Sequence, residues 1–161
     1  MPPEQREKWM EEAIALAMLA AEKDEAPIGA LLIHDGKILG RGRNRREETQ
    51  RTAAHAEFEA LEQFHAAYQS WRVPVGTTLI ATLEPCVMCT GALLWSRVTT
   101  IYYGCADPKN AGLNFLLPTI EAGRFDHKFA EVVGGIRQEE CAELLKAFFK
   151  KKRADSTKVL L

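Results

Sequence analysis

Apolar residues recur at helical spacing near the start of the chain. Trp9, Met10, Ala13, Ile14, Ala17 and Ala21 fall on one face of a stretch from about Gln5 to Lys23. That period predicts an amphipathic helix with a core-facing stripe. Pro27 ends it. Ile28 to Ile33 is a nearly continuous apolar run, Asp35-Gly36 is a turn pair, and Lys37 to Arg41 returns, so a β-hairpin is predicted. The polar stretch Asn44 to Thr52 reads as a loop. Helical spacing resumes from near Ala54 to about Tyr68, with Phe58, Leu61 and Phe64 on the buried side.

Trp71 to Gly76, with Pro74, is a connection, and Thr77 to Thr82 is a β-branched strand. A helix follows from about Cys86 to Ser96. Val98 to Tyr103 is short and apolar, as in a buried strand. Cys105 to Asn114 is a loop. Phe115 to Ile120 is ambiguous between the two elements, and Pro118 argues against a long helix. Phe129 to Val133 is a strand, broken by Gly134-Gly135. Glu139 to Arg153 is the last helix, with Leu144, Leu145, Phe148 and Phe149 as its apolar face. The tail after Ala154 is expected to fray, though Val159-Leu160-Leu161 could dock.

Helices and strands thus alternate along most of the chain. The fold class is α/β: a mixed five-stranded sheet covered by helices on both faces, in three layers. A length of 161 residues suits one domain, residues 1–161, with 154–161 as a frayed tail. Composition adds that 47% of residues are hydrophobic and 27% charged, as in an ordinary globular protein. No apolar run is long enough to cross a membrane, and the opening Met-Pro-Pro-Glu-Gln carries no signal-peptide pattern. Cys105 and Cys141 read as reduced, partly buried thiols. The expected compartment is therefore the cytoplasm.

Net charge is −1, but its distribution is uneven. Residues 1–25 carry −4, residues 41–51 carry +3 and residues 146–158 carry +5. Each run is commonly a solvated face. Two basic clusters on a nearly neutral chain also suit a phosphate-bearing partner.

The chemistry concentrates in two short stretches, His55-Ala56-Glu57 and Glu84-Pro85-Cys86-Val87-Met88-Cys89. Cys86 and Cys89 are three apart, so on a helix both sulfurs can reach one ion. Pro85 suits the first turn of that helix, and a helix N-terminus favours the thiolates that zinc needs. His55 would be the third ligand. Two Cys and one His leave a fourth tetrahedral position for water, the mark of a catalytic site as against a closed structural one. Residues two apart on a helix point to nearly opposite sides. His55 and Glu57 can therefore serve one site only if the helix begins there and meets the metal end-on. Glu57 then stands near the water without ligating zinc, which suits a proton shuttle. Taken alone, a C-x-x-C is often a structural half-site or a redox pair, and a His at a helix start is usually a cap. Jointly the pattern is far more specific. His65, ten residues on, reads as a core or surface histidine.

The joined string H-x-E…P-C-x-x-C is the known signature of zinc-dependent nucleobase deaminases. At these residues the chain resembles the cytidine-deaminase-like superfamily. Within it, the chain is most similar to the bacterial tRNA adenosine deaminases, which convert the wobble adenosine to inosine. The likeness spans about residues 7–153. It includes Pro27-Ile28-Gly29-Ala30, Gly42-Arg43-Asn44, Thr82-Leu83-Glu84, Gly91-Ala92 and Glu140-Cys141-Ala142. It implies one zinc per chain on His55, Cys86 and Cys89, with Glu57 as shuttle. It further implies substrate contacts at Asn44, Ala56 and Asp107, a tRNA anticodon loop as partner, and a homodimer. On their own terms Asn44 could be a turn residue and Asp107 a cap. The Ala92-Leu93-Leu94-Trp95 stretch could serve a dimer or the core.

One segment departs from the family pattern. After Lys109 a run of small residues is expected, and Leu113 and Phe115 are bulkier. This is either a repacking or a reshaped pocket rim. The same signature also fits a deaminase of a free nucleobase or nucleoside, such as guanine or cytosine. A zinc-stabilised RNA-binding subunit would fit as well, but it would not need Glu57.

Overall fold

A computed structural model describes residues 1–110 and 112–159. Among them the chain runs α1 (Pro3–Glu22), β1 (Gly29–His34), β2 (Lys37–Arg43), α2 (Arg46–Thr49), α3 (Ala56–Tyr68), β3 (Thr78–Leu83), α4 (Val87–Trp95), β4 (Thr100–Cys105), α5 (Leu113–Glu121), β5 (Glu131–Val133) and α6 (Gln138–Val159). The strands form one sheet in the order β2-β1-β3-β4-β5. β1 is antiparallel to β2 and β3, whereas β3, β4 and β5 run parallel. All strands except β1 therefore end at one edge, and β1 begins there. In open sheets of this kind, ligands bind outside the carboxyl ends of the strands.

Alternation along the strands sorts the apolar residues into two layers. Leu31, Ile33, Ile80 and Tyr102 pack with Met10, Ala13 and Ile14 of α1 and with Cys141 of α6. Leu32, Leu79, Ala81 and Ile101 pack with Ala60, Leu61 and Phe64 of α3, Leu93 of α4 and Leu113 of α5. This is the three-layer α/β/α arrangement, with the mixed five-stranded sheet, that the sequence predicts. Gly42 lets α3 lie directly on β2, since a Cβ there would stand 1.9 Å from the Ala56 carbonyl oxygen.

Several local expectations are corrected. The 44–52 loop contains one helical turn, α2, closed by the Thr49 hydroxyl on the Arg45 carbonyl at 2.8 Å. Residues 113–121 are helical although Pro118 lies inside. The proline forfeits only the bond to the Asn114 carbonyl, and buried Leu113 and Ile120 anchor the helix. β4 begins at Thr100, because the N–H of Val98 is taken by the Leu93 carbonyl of α4 at 3.0 Å. β5 is shorter than expected and begins at Glu131. α6 runs past Arg153 to Val159, with no Gly or Pro to stop it. Of the Val159-Leu160-Leu161 end that could dock, Leu160 and Leu161 lie outside the described residues. Phe58 is only half-buried; Ala60 takes the core position. Phe149 is exposed, so α6 buries only part of its apolar face.

Candidate active site

Two helix starts converge at the carboxyl edge of the sheet. His55 immediately precedes α3 and Cys86 immediately precedes α4, both with extended backbone and neither capping its helix through its side chain. Pro85 therefore sits one residue before the cap and not in the first turn. Cys89 lies in the first turn of α4 and is buried. The His55 Nδ1 is 3.6 Å from the Sγ of Cys86 and 3.6 Å from that of Cys89. The three donor atoms all lie within 4.8 Å of one another. A tetrahedral zinc with Zn–S near 2.3 Å and Zn–N near 2.0–2.1 Å has N···S edges of about 3.6 Å. The donor set therefore fits a zinc ion in both chemistry and spacing.

The electrostatics of the pair favour metal binding. The Cys86 thiol is lowered to about 4, chiefly because Cys89 donates to it and also because of His55. Cys89 is pushed up by that same shared proton and by burial. His55 is raised, first by its bond with Cys86. One thiolate thus forms readily, and a cation is what the second requires. Glu57 is 4% exposed in the first turn of α3. Burial pushes its carboxyl up to about 6, and the Cys86 charge adds to this.

Some residues that hold the site were not assigned a role from sequence. The Glu84 carboxylate is buried and accepts the N–H groups of Asn114 at 3.0 Å and Asp107 at 3.3 Å. Gly112 lies against the backbone of Cys86 and Val87, where a Cβ would stand 2.1 Å from the Cys86 carbonyl carbon. The N–H of Leu113 bonds the Pro85 carbonyl at 3.0 Å. α5 is thus docked on the start of α4. In the segment that departs from the family pattern, Leu113 fills the core and Phe115 is 74% exposed. In sequence Glu84 stands at the head of the Pro-Cys-x-x-Cys stretch, at the end of an apolar strand.

Asn44 is buried, with its N–H on the Ile28 carbonyl at 3.0 Å. Its Oδ1 has no hydrogen-bond partner among the described residues. Ala56 is the first residue of α3, so its N–H has no partner within the helix. Asp107 closes its own loop: its Oδ1 accepts the N–H groups of Lys109 at 2.9 Å and Asn110 at 3.0 Å. His65 packs edge-on to Phe64 and is not among the clustered donors. Cys105 and Cys141 are free, buried thiols. Two arginines of the basic run 41–51 are held in close ion pairs. Arg43 and Arg45 meet Glu48 at 2.7 and 3.1 Å, and Arg45 also meets Glu59 at 3.1 Å.

The three-layer sheet and this donor cluster define a deaminase of the cytidine-deaminase-like type. The family model of the MafB19-like deaminases matches residues 4–153. A tRNA-specific adenosine deaminase of Bacillus subtilis (strain 168) is 45% identical over 149 residues, 92% of this chain and 91% of that protein. A solved structure from work on A-to-I editing by tRNA:A34 deaminases at the wobble position is 37% identical. It has a TM-score of 0.78 and covers 84% of this chain and 97% of that one. A guanine deaminase from Nitrosomonas europaea shares the fold at 23% identity and a TM-score of 0.70, covering 88% of this chain and 83% of that one. The chain belongs to the MafB19-like deaminases and to the family of tRNA-specific adenosine deaminases. Among its described residues no helix is long and apolar enough to cross a membrane.

Proposed function

We propose that this protein hydrolytically deaminates adenosine to inosine at the wobble position of tRNA, using one zinc per chain held by His55, Cys86 and Cys89. The observation that supports it most is the donor triangle, with N···S edges of 3.6 Å, at the same helix start as a buried carboxylate. Zinc in such a site supplies a Lewis acid and makes water nucleophilic near neutral pH. Glu57 does the proton work. With its carboxyl pushed up to about 6, it takes a proton from water and delivers it to N1 of the purine, then takes the proton of the hydroxyl newly bonded to C6 and passes it to the amine, which leaves as ammonia. The two helix N-termini at the site favour the thiolates that hold the metal.

Asn44 and the N–H of Ala56 orient the base, while Asp107 shapes the loop that meets the adjacent nucleotides. An adenine inside a stacked helix cannot reach such a site, so the substrate is a base splayed out of a single-stranded loop. The names of the relatives support tRNA as the RNA. Lys150 and Lys151, exposed on α6, supply phosphate contacts.

A homodimer and a cytoplasmic location complete the reading. α4 contains no charged residue, and its outer side shows Val87 and Trp95 to solvent, 52% and 72% exposed. Such a helix is expected to be covered in the working assembly. Nucleoside analysis of unmodified tRNA after incubation with the zinc-loaded protein tests the function: inosine should replace adenosine at the wobble position.

A further inference from the structure

We infer that Glu25 is a positioning residue for the substrate side of the site, bracing the segment that carries Asn44. This rests on the reading of Asn44 as a nucleobase contact. Glu25 lies just after α1, is 1% exposed, and accepts the backbone N–H of Glu48 on Oε1 at 2.6 Å. Glu48 is in the single turn of α2, whose N-cap, Arg45, makes no side-chain cap. An early N–H of a helical turn needs an outside acceptor, and Glu25 supplies it from 23 residues away. Three residues further on, the Ile28 carbonyl accepts the N–H of Asn44 at 3.0 Å. Residues 25–28 therefore grip both ends of residues 44–48.

The choice of a carboxylate here is otherwise costly. A buried carboxylate is expensive unless paired, and an apolar side chain of similar size would fill the space more cheaply. Glu25 forms no ion pair among the described residues, and its Oε2 has no hydrogen-bond partner among them. The cations that flank Asn44 in sequence pair with other acids: Arg43 with Glu48, and Arg45 with Glu48 and Glu59. Among the described residues, the one bond the carboxylate makes is the one that sets α2. From there the contacts spread to both flanks of Asn44, through Arg43 and Arg45, and on to α3 through Glu59. Glu25 touches neither base nor metal; it acts through Asn44.

The test uses the full zinc-loaded chain with an anticodon stem-loop RNA. Glu25→Ala is expected to keep parental zinc content and to lose roughly ten- to a hundredfold in kcat/KM, the scale of a small misplacement of binding groups. Glu25→Gln keeps an oxygen acceptor for the Glu48 N–H and should stay close to the parent. If Glu25→Ala does not fold, Glu25→Asp, which keeps the charge but shortens the reach, takes its place with the same expected loss. Parental kcat/KM in the Ala or Asp variant overturns the inference. So does a loss that merely tracks lost zinc, or a Gln variant as damaged as Ala. Hydrogen exchange of the Glu48 amide gives a readout independent of substrate. It should accelerate in Glu25→Ala and not in Glu25→Gln, and unchanged exchange in Glu25→Ala overturns the inference. An inactive parent would instead overturn the tRNA reading, and the exchange result would then decide the brace alone.

Discussion

The carboxylate of Glu84 accepts the backbone N–H of Asn114 at 3.0 Å, joining the end of β3 to the first turn of α5 across 30 residues of chain. With Asp107 on the other oxygen, this one buried side chain fixes both ends of the loop over the start of α4. Glu84→Ala leaves two backbone N–H groups without their acceptor. A loss of about 1–3 kcal/mol in unfolding free energy is expected, with a smaller loss for Glu84→Gln, which keeps one acceptor oxygen. Denaturant unfolding of the two variants measures it.

Gly112 offers a sharper geometric test. A methyl group there would stand 2.0 Å from the Val87 nitrogen, so either α5 or the start of α4 must move. Gly112→Ala should cost about 1–3 kcal/mol through overpacking. Because Cys86 is one of the two neighbours, zinc retention should fall in parallel. Metal analysis after dialysis against a mild chelator, beside the unfolding curve, checks both.

Much of this was legible in the sequence, for a physical reason. The three donors and Glu57 sit in short motifs whose spacing itself places them on helix starts. The apolar periods gave the sheet and its layers. What escaped were contacts made across long separations. Glu84 and Gly112 act on residues 23 to 30 positions away, and no local period marks them. Pro118 lies within α5 because Leu113 and Ile120 bury the helix, a tertiary effect that overrides local propensity. The basic run 41–51 carries +3 with Glu47 and Glu48 already counted, and the fold brings Glu59, from outside the run, against Arg45.

At the far edge of the sheet, Glu131 accepts a bond from the buried Tyr102 hydroxyl and meets Arg6 of α1 at 3.0 Å. The Tyr102 bond, then Arg6, hold the Glu131 carboxyl below its usual value of 4.5. A lowered folded value means the contribution is full above about pH 4.5 and is lost as pH falls through that lowered value. Glu131→Ala should lower stability near neutral pH by leaving the Tyr102 hydroxyl and Arg6 without their acceptor, an effect that solvent screening keeps to at most about 1 kcal/mol. The gap to the parent should narrow as the pH falls below 4.5. Unfolding midpoints between neutral and acidic pH follow it.

The basic end of α6 is divided between structure and solvent. Lys152 bonds Asp24 and lies 5.7 Å from the Phe148 ring, so part of the run ties α6 to the end of α1. Lys150 and Lys151 face outward. Changing these two to Ala should weaken RNA binding and reduce the salt slope by up to about 1.4, at about 0.7 per neutralised phosphate. Stability should be unaffected. Changing Lys152 should instead disturb the α1–α6 contact. Binding titrations at several salt concentrations separate the two effects.

The central claim is that the His55, Cys86, Cys89 and Glu57 cluster deaminates adenosine in an RNA loop. The most direct measurement follows inosine in unmodified tRNA and ammonia from free guanine, cytosine and their nucleosides, with the zinc-loaded parent and Glu57→Gln side by side. The expected result is inosine at the wobble position with the parent and little ammonia from the free bases. Glu57→Gln should bind zinc normally and lose about 100- to 10,000-fold or more in rate, the usual worth of general acid–base help. Ammonia from a free base with no inosine in tRNA, or a Glu57→Gln variant as fast as the parent, would contradict it.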